Sequence, residues 1–186
     1  MIYPIVLYGD PVLKQKAKEV PEGFDAQAFV DDLYETMYAA GGVGLAAPQV
    51  GKSLRVFVID SSPMEEEEEG DGKGLKEAFI NPEIVEEEGK SWAFEEGCLS
   101  IPGIREDVSR QEQVTINYLN QDLEEIEETF TGIRARIIQH EYDHIEGKLF
   151  TEYLSPLKKR LLKGRLANIT KGKVDADYRV KVPSKK

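Results

Sequence analysis

Residues 114–147, VTINYLNQDLEEIEETFTGIRARIIQHEYDHIEG, change their periodicity part-way along. In Val114-Thr115-Ile116-Asn117-Tyr118-Leu119 the pattern alternates, which puts Val114, Ile116 and Tyr118 on one face of a half-buried strand. Asn120-Gln121-Asp122 supplies turn chemistry, and Ile126 to Phe130 reads as the returning strand. From residue 132 the period becomes helical. Ile133, Ile137, His140, Glu141 and His144 fall at i, i+4, i+7, i+8 and i+11, on one inward stripe. Gly147 follows as the C′ residue that ends a helix over 132–146.

Upstream, Asp25 caps a predicted helix over 25–40, in which Phe29, Leu33 and Met37 recur every four residues before Gly41-Gly42 stops it. Residues 43–51 are rich in small side chains and hold Pro48, which predicts a loop or an irregular strand. Leu54-Arg55-Val56-Phe57-Val58-Ile59 reads as a strand of the buried type. The acidic insertion at 65–74 is too densely charged to pack and reads as a solvated, mobile loop away from any site. Residues 77–85 restart the sheet, with Pro82 limiting that strand to an edge or a break. Downstream, Ser155-Pro156 enters a second helix over 156–169 in the N-cap/N1 arrangement. Helices that bracket a run of strands predict an α+β fold with mainly antiparallel sheets, not alternating βαβ units. Residues 1–170 read as a single catalytic domain, and 171–186 as a flexible basic tail.

The formal net charge of −11 is unevenly spread. Residues 156–186 hold 11 Lys/Arg against 2 Asp/Glu, whereas residues 1–155 hold 13 against 33. An acidic body repels phosphate backbones, which argues against DNA as a partner. The basic end reads first as a solvated segment that favours solubility, with docking on an anionic partner as the alternative. One cysteine permits no intramolecular disulfide and fits a reducing cytosol. No apolar run approaches the roughly 18 residues of a spanning helix. The opening MIYPIVL is short and lacks the basic region of a signal peptide. The expectation is a soluble cytoplasmic protein with no membrane partner.

The chain has two histidines, His140 and His144. Four residues turn a helix by about 400°, so the two rings lie roughly 40° apart and one turn up, on one face. Glu141 sits between them, able to reach a water held by a metal there without ligating it. This is the His-Glu-x-x-His pattern. A single buried histidine is usually a satisfied core residue, but here every histidine in the chain flanks the same glutamate.

A catalytic zinc-type site takes three protein ligands and keeps one open position. A third histidine in the extended pattern would fall at residue 150, which is Phe150. The acids downstream, Glu146 and Glu152, sit too close along the chain to persuade. Cys98 remains. A thiolate suits a borderline or soft metal, which would hold it deprotonated. A lone cysteine is often just a small buried residue, yet beside an incomplete two-histidine site the ligand reading is the stronger one. The fold then becomes antiparallel sheets packed around a central metal-binding helix, with a C-terminal helix. The function becomes metal-dependent hydrolysis with Glu141 as acid/base. Two rivals stand beside it. A protease cutting internal peptide bonds would want a Glu or His as third ligand. A non-catalytic metal module would want a fourth protein ligand.

Three blocks together are similar to the signature blocks of the peptide deformylases. They are Gly42-Val43-Gly44-Leu45-Ala46-Ala47-Pro48-Gln49, Glu96-Gly97-Cys98-Leu99-Ser100-Ile101-Pro102-Gly103 and Gln139-His140-Glu141-Tyr142-Asp143-His144-Ile145-Glu146-Gly147. They occur in the family's order, the opening Tyr8-Gly9-Asp10-Pro11-Val12-Leu13 is also similar, and the likeness covers roughly residues 1–165. The resemblance implies removal of the formyl group from the N-terminal formyl-methionine of new proteins. It implies one divalent metal, usually ferrous iron, with zinc, nickel or cobalt able to take the same ligands: Cys98, His140 and His144. It makes Glu141 the acid/base, and Gln49 with the backbone N–H of Leu99 the stabilisers of the oxyanion. It lays Val43 and Gly44 along the substrate backbone and puts Arg105 near the substrate channel. Ile137, one turn before His140, lines a pocket for the methionine side chain or packs in the core. A substrate that emerges from the ribosome makes that particle a candidate partner for the basic stretch at 158–173.

Overall fold

The computed structural model describes residues 1–65 and 74–184. Apart from Glu65 and Gly74 at its ends, the acidic insertion lies outside the described residues. In chain order the elements are β1 (Ile5–Val6), a 3-10 turn (Pro11–Lys14), α1 (Ala26–Ala39), β2 (Gly44–Ala46), a second 3-10 turn (Ala47–Val50), β3 (Val56–Asp60) and α2 (Ser62–Glu65). There follow β4 (Lys76–Cys98), β5 (Ile101–Leu119), β6 (Glu125–Thr131), α3 (Gly132–Ile145), a third 3-10 turn (Phe150–Tyr153), α4 (Pro156–Thr170) and β7 (Val180–Lys181).

Five strands form one antiparallel sheet in the order β2-β3-β4-β5-β6, a meander in which each strand pairs with the next in the chain. The expected hairpin is present: Val114 faces Phe130 and Leu119 faces Glu125. Asn120 Oδ1 accepts from the N–H groups of Asp122 and Glu124 and so shapes the turn. Alternation decides the two faces. Val56 and Val58 turn to α1, packing with Phe29, Val30, Leu33 and Met37. Phe57 and Ile59 turn to α3, packing with Phe79, Phe130, Ile137 and Ile138. Beneath α3 the ring of Phe79 lies 4.6 Å from Phe57, 4.3 Å from Tyr118 and 6.0 Å from Phe130, a row that crosses four strands.

Several elements differ from the sequence expectation. Strand β4 runs 23 residues and lies inside the sheet. Pro82 is accommodated because the β4–β5 register shifts between Ile80 and Glu83, where no ladder donor is needed. Beyond Ser91, β4 pairs only with β5, and this two-stranded arm carries Cys98 to its tip. The small-residue stretch resolves into β2 and a 3-10 turn. The segment expected to be a flexible tail, 171–186, is not detached where it is described. Val180–Lys181 pairs with Ile5–Val6 in parallel, and Val180 packs against the core cluster that holds Leu7 and Ile169. Asp25 caps α1 by accepting from the Ala28 N–H, and Ser155 caps α4 by accepting from Lys158. Gly147 has φ +74°, and a Cβ there would meet the Lys14 carbonyl at 2.8 Å, so only glycine closes α3 at this point. No helix among the described residues is long and apolar enough to cross a membrane.

Candidate metal centre

Helix α3 supplies His140, Glu141 and His144 from the face turned to the sheet, and the tip of β4 brings Cys98 over them. The ligand atoms of Cys98, His140 and His144 all lie within 4.8 Å of one another, and they are a cluster that could hold a metal ion. Cys98 Sγ is 3.4 Å from His144 Nε2, and the two imidazole centroids are 5.1 Å apart. The donor set fits a transition metal, since one thiol and two imidazoles suit borderline and soft cations. A closed site would need a fourth ligand, and among the described residues the cluster consists of these three.

A second partner fixes the His140 ring. His140 Nδ1 lies 2.7 Å from Glu96 Oε1, which turns its Nε2 toward the cluster. Burial works against the His140 cation, but the Cys98 sulfur and the Glu96 carboxylate override it and push its pKa up. His144 is 1% exposed, and burial together with His140 pushes its pKa down. Glu141 is buried, and burial pushes its carboxyl up to about 7. Its Oε2 has no hydrogen-bond partner among the described residues. The carboxylate lies against Gly44, where a Cβ would stand 2.4 Å from Oε1, so β2 passes this close only because residue 44 is glycine.

The cluster opens on a cleft of about 640 Å³. Val43, Gly44, Gln49, Cys98, Leu99, Arg105, Ile137, His140 and Glu141 all line it. Of the ten residues singled out in the sequence, only His144 lies behind the surface. Gln49 accepts from the Ala46 N–H through Oε1, which leaves its Nε2 3.4 Å from both Cys98 Sγ and Ser100 Oγ. Leu99 stands in the turn between β4 and β5. Arg105 is at the rim, exposed, with Nε 2.9 Å from Glu95. Ile137 is 4% exposed and packs with Val43, so it belongs to both the core and the cleft floor.

A family model described as Polypeptide deformylase matches residues 2–160. The chain belongs to the peptide deformylase family. It is 55% identical to a peptide deformylase of Cytophaga hutchinsonii over 100% of both chains. It is 52% identical to one of Christiangramia forsetii, over 100% of this chain and 98% of that one. A crystal structure of a peptide deformylase from Thermus thermophilus is similar with TM-score 0.81 and 36% identity, covering 92% of this chain and 99% of that one. One from Ehrlichia chaffeensis gives TM-score 0.82 and 32% identity over 93% and 97%. Peptide deformylases are metal-dependent hydrolases that remove the N-formyl group from the N-terminal methionine of new chains, and this chain is an enzyme of that kind.

Around this deformylase centre lies a charged layer that the sequence reading missed. Arg110 grips Glu96 with two bonds, 2.7 and 3.0 Å, and reaches Asp143 at 2.8 Å. Arg136 donates to Glu96, to the Val108 carbonyl and to the Trp92 carbonyl. Tyr153 donates to Asp143 at 2.8 Å. Two arginines and two carboxylates balance, as buried charges must. Arg110 and His140 hold the Glu96 carboxyl well below its usual range against the opposing effect of burial. The signal for Glu96 was available: two residues before Cys98 on one strand, it shares that residue's face. Arg136 and Asp143 stand four before and three after His140 on α3. Tyr178 had no such signal. Its hydroxyl, kept protonated because burial pushes the phenol up to about 12, donates to the Leu99 carbonyl at 2.8 Å.

Proposed function

We propose that Cys98, His140 and His144 bind one divalent metal, and that formamide hydrolysis takes place over them with Glu141 as acid/base. The observation that carries this reading is a thiol and two imidazoles beside a buried, unpartnered carboxylate oxygen at the floor of an open cleft. When bound, the metal supplies Lewis-acid activation of a water molecule and of the formyl oxygen. Ferrous iron suits the donors, and zinc, nickel or cobalt fits the same set.

The chain's own groups do the rest. Glu141 takes the proton of the attacking water at its unpartnered oxygen. A carboxyl already raised to about 7 holds and releases that proton readily near neutral pH. As the formyl carbon becomes tetrahedral, the Gln49 amide and the Leu99 N–H meet the charge on its oxygen. Gln49 can do so because the Ala46 N–H fixes which end of its amide faces the cleft. Glu141 then gives its proton to the leaving amine, and formate and a free N-terminal methionine depart. Val43 and Gly44 lie along the substrate backbone, Ile137 floors the methionine pocket, and Arg105 meets the chain further out.

The catalytic unit so proposed is residues 1–170, followed by an attached strap. Its setting is the cytoplasm, where nascent chains emerge. The exposed basic side chains Lys159, Arg160, Lys163 and Arg165 of α4 support docking on the ribosome. Assay of anaerobically purified enzyme on a formyl-Met peptide, with metal analysis, tests the central claim. Formate release with one equivalent of metal is expected. Cleavage of internal peptide bonds without formate would overturn it.

A further inference from the structure

The segment after α4 lies beyond residues 2–160, where the family match ends, and no step above uses it. It nevertheless forms one wall of the cleft, through Asp175, Ala176, Asp177 and Tyr178. Its contact with the site is specific. Leu99 and Ser100 make the two-residue turn between the paired Cys98 and Ile101. The Leu99 carbonyl accepts from the Tyr178 hydroxyl at 2.8 Å. The Ser100 carbonyl accepts from the Tyr8 N–H, also at 2.8 Å. Both carbonyls of the turn are therefore held from outside, one from each end of the chain. Those ends are themselves joined, with Ile5 donating to the Arg179 carbonyl and Leu7 to the Lys181 carbonyl.

A two-residue turn has few internal restraints on its peptide planes. The bond to Tyr178 fixes the plane between Leu99 and Ser100. The Leu99 N–H belongs to the preceding peptide, so the bond acts on it through the Leu99 Cα: with β4 fixing Cys98 on one side and Tyr178 fixing the next plane on the other, the N–H between them is held in place. We propose that Tyr178 is a positioning residue for the hydrolysis, pinning the Leu99 carbonyl so that the Leu99 N–H faces the formyl oxygen, and that the strap over residues 174–181 is thereby a working part of the site. The inference rests on the role given above to the Leu99 N–H.

Tyr178→Phe removes the hydroxyl and keeps the ring, so the strap and its packing remain. Losing an oxyanion donor outright costs roughly 10²–10³ in kcat, and misaiming one costs part of that, so a fall of about tenfold is expected. KM for a formyl-Met peptide should stay within twofold. Metal content, Tm and inhibition by the deformylated product peptide should match the parent, because the product carries no oxyanion. A kcat within twofold of the parent overturns the proposal. So does a loss of rate that comes with a loss of metal or of product affinity, which would make Tyr178 a structural prop. Glu141→Ala, assayed alongside, separates the two levels. If it keeps turnover, the acid/base reading itself fails. If it loses turnover while Tyr178→Phe does not, only the positioning role fails.

Discussion

Helices α1 and α3 have the same length, 14 residues, and each covers one face of the sheet, yet they are held by different physics. α1 buries Ala26, Phe29, Val30, Leu33, Tyr34, Thr36 and Met37. Every Å² of apolar surface it removes from water stabilises the fold directly, by about 25 cal/mol. α3 buries nine residues, and five of them are Arg136, Gln139, Glu141, Asp143 and His144. Placed alone, such groups would cost several kcal/mol each. Arg136 and Asp143 are tolerated because Glu96 and Arg110 reach in from the β4–β5 arm to meet them, and Gln139 because it donates to the Gln111 and Ala135 carbonyls. The site helix is thus stable only as part of a set, whereas the packing helix is held mainly by apolar neighbours, with Thr36 satisfied locally by the Asp32 carbonyl and the Tyr3 N–H. Glu141 departs even from that set, since one of its oxygens has no partner among the described residues.

This contrast can be broken or sharpened by substitution. The largest effect should be on rate. Glu141→Ala is expected to lower kcat by about 10²–10⁴, the usual share of acid–base catalysis. Metal content should be kept and Tm unchanged or raised, because an unpartnered buried carboxyl is removed. A Tm that drops sharply would show that Glu141 belongs to the supporting set. Next, Arg110→Met takes from Glu96 two of its bonds and from Asp143 its cation, leaving two buried carboxylates against Arg136 alone, and breaking a buried pair in this way costs about 3–5 kcal/mol. Denaturant unfolding measures that, and metal titration should show weaker binding, since Glu96 then holds His140 with only Arg136 to anchor it. Leu33→Ala in α1 should cost about 2–5 kcal/mol by leaving a cavity. Here metal affinity should not change. A fall in affinity as large as that in Arg110→Met would erase the distinction between the helices. Smallest, Asp25→Ala removes the cap of α1 and should cost about 1 kcal/mol, read as a modest fall in Tm at unaltered kcat.

Local signals explain what could be read in advance. α1 has its cap at Asp25 and a clean four-residue repeat, so its ends fall within a residue of expectation. The same holds for α3, whose stripe also named His140, Glu141 and His144. The arm from Ser91 to Gln111 was not legible. Glu95, Arg105 and their neighbours are exposed there, and a two-stranded ribbon with water on much of its surface shows no apolar alternation. Pro82 misled for a related reason: a proline excludes a strand interior only where the ladder needs its N–H, and a register shift removes that need. Arg110 could not have been found, since it meets Asp143 from 33 residues away through the sheet. Tyr178 joins Leu99 across 79 residues, a pairing set by the whole fold.

The parallel pairing of Ile5–Val6 with Val180–Lys181 has a consequence for how the molecule assembles. Hairpins such as β5–β6 can zip as soon as their turn exists, whereas this contact needs everything between residues 6 and 180 to be in place. During synthesis Ile5–Val6 has no mate on that side until Val180 and Lys181 have left the tunnel. The knot that joins the two strands behind the Cys98 turn is therefore drawn late, and a newly translated copy completes its cleft only once Tyr178 and the strap have emerged.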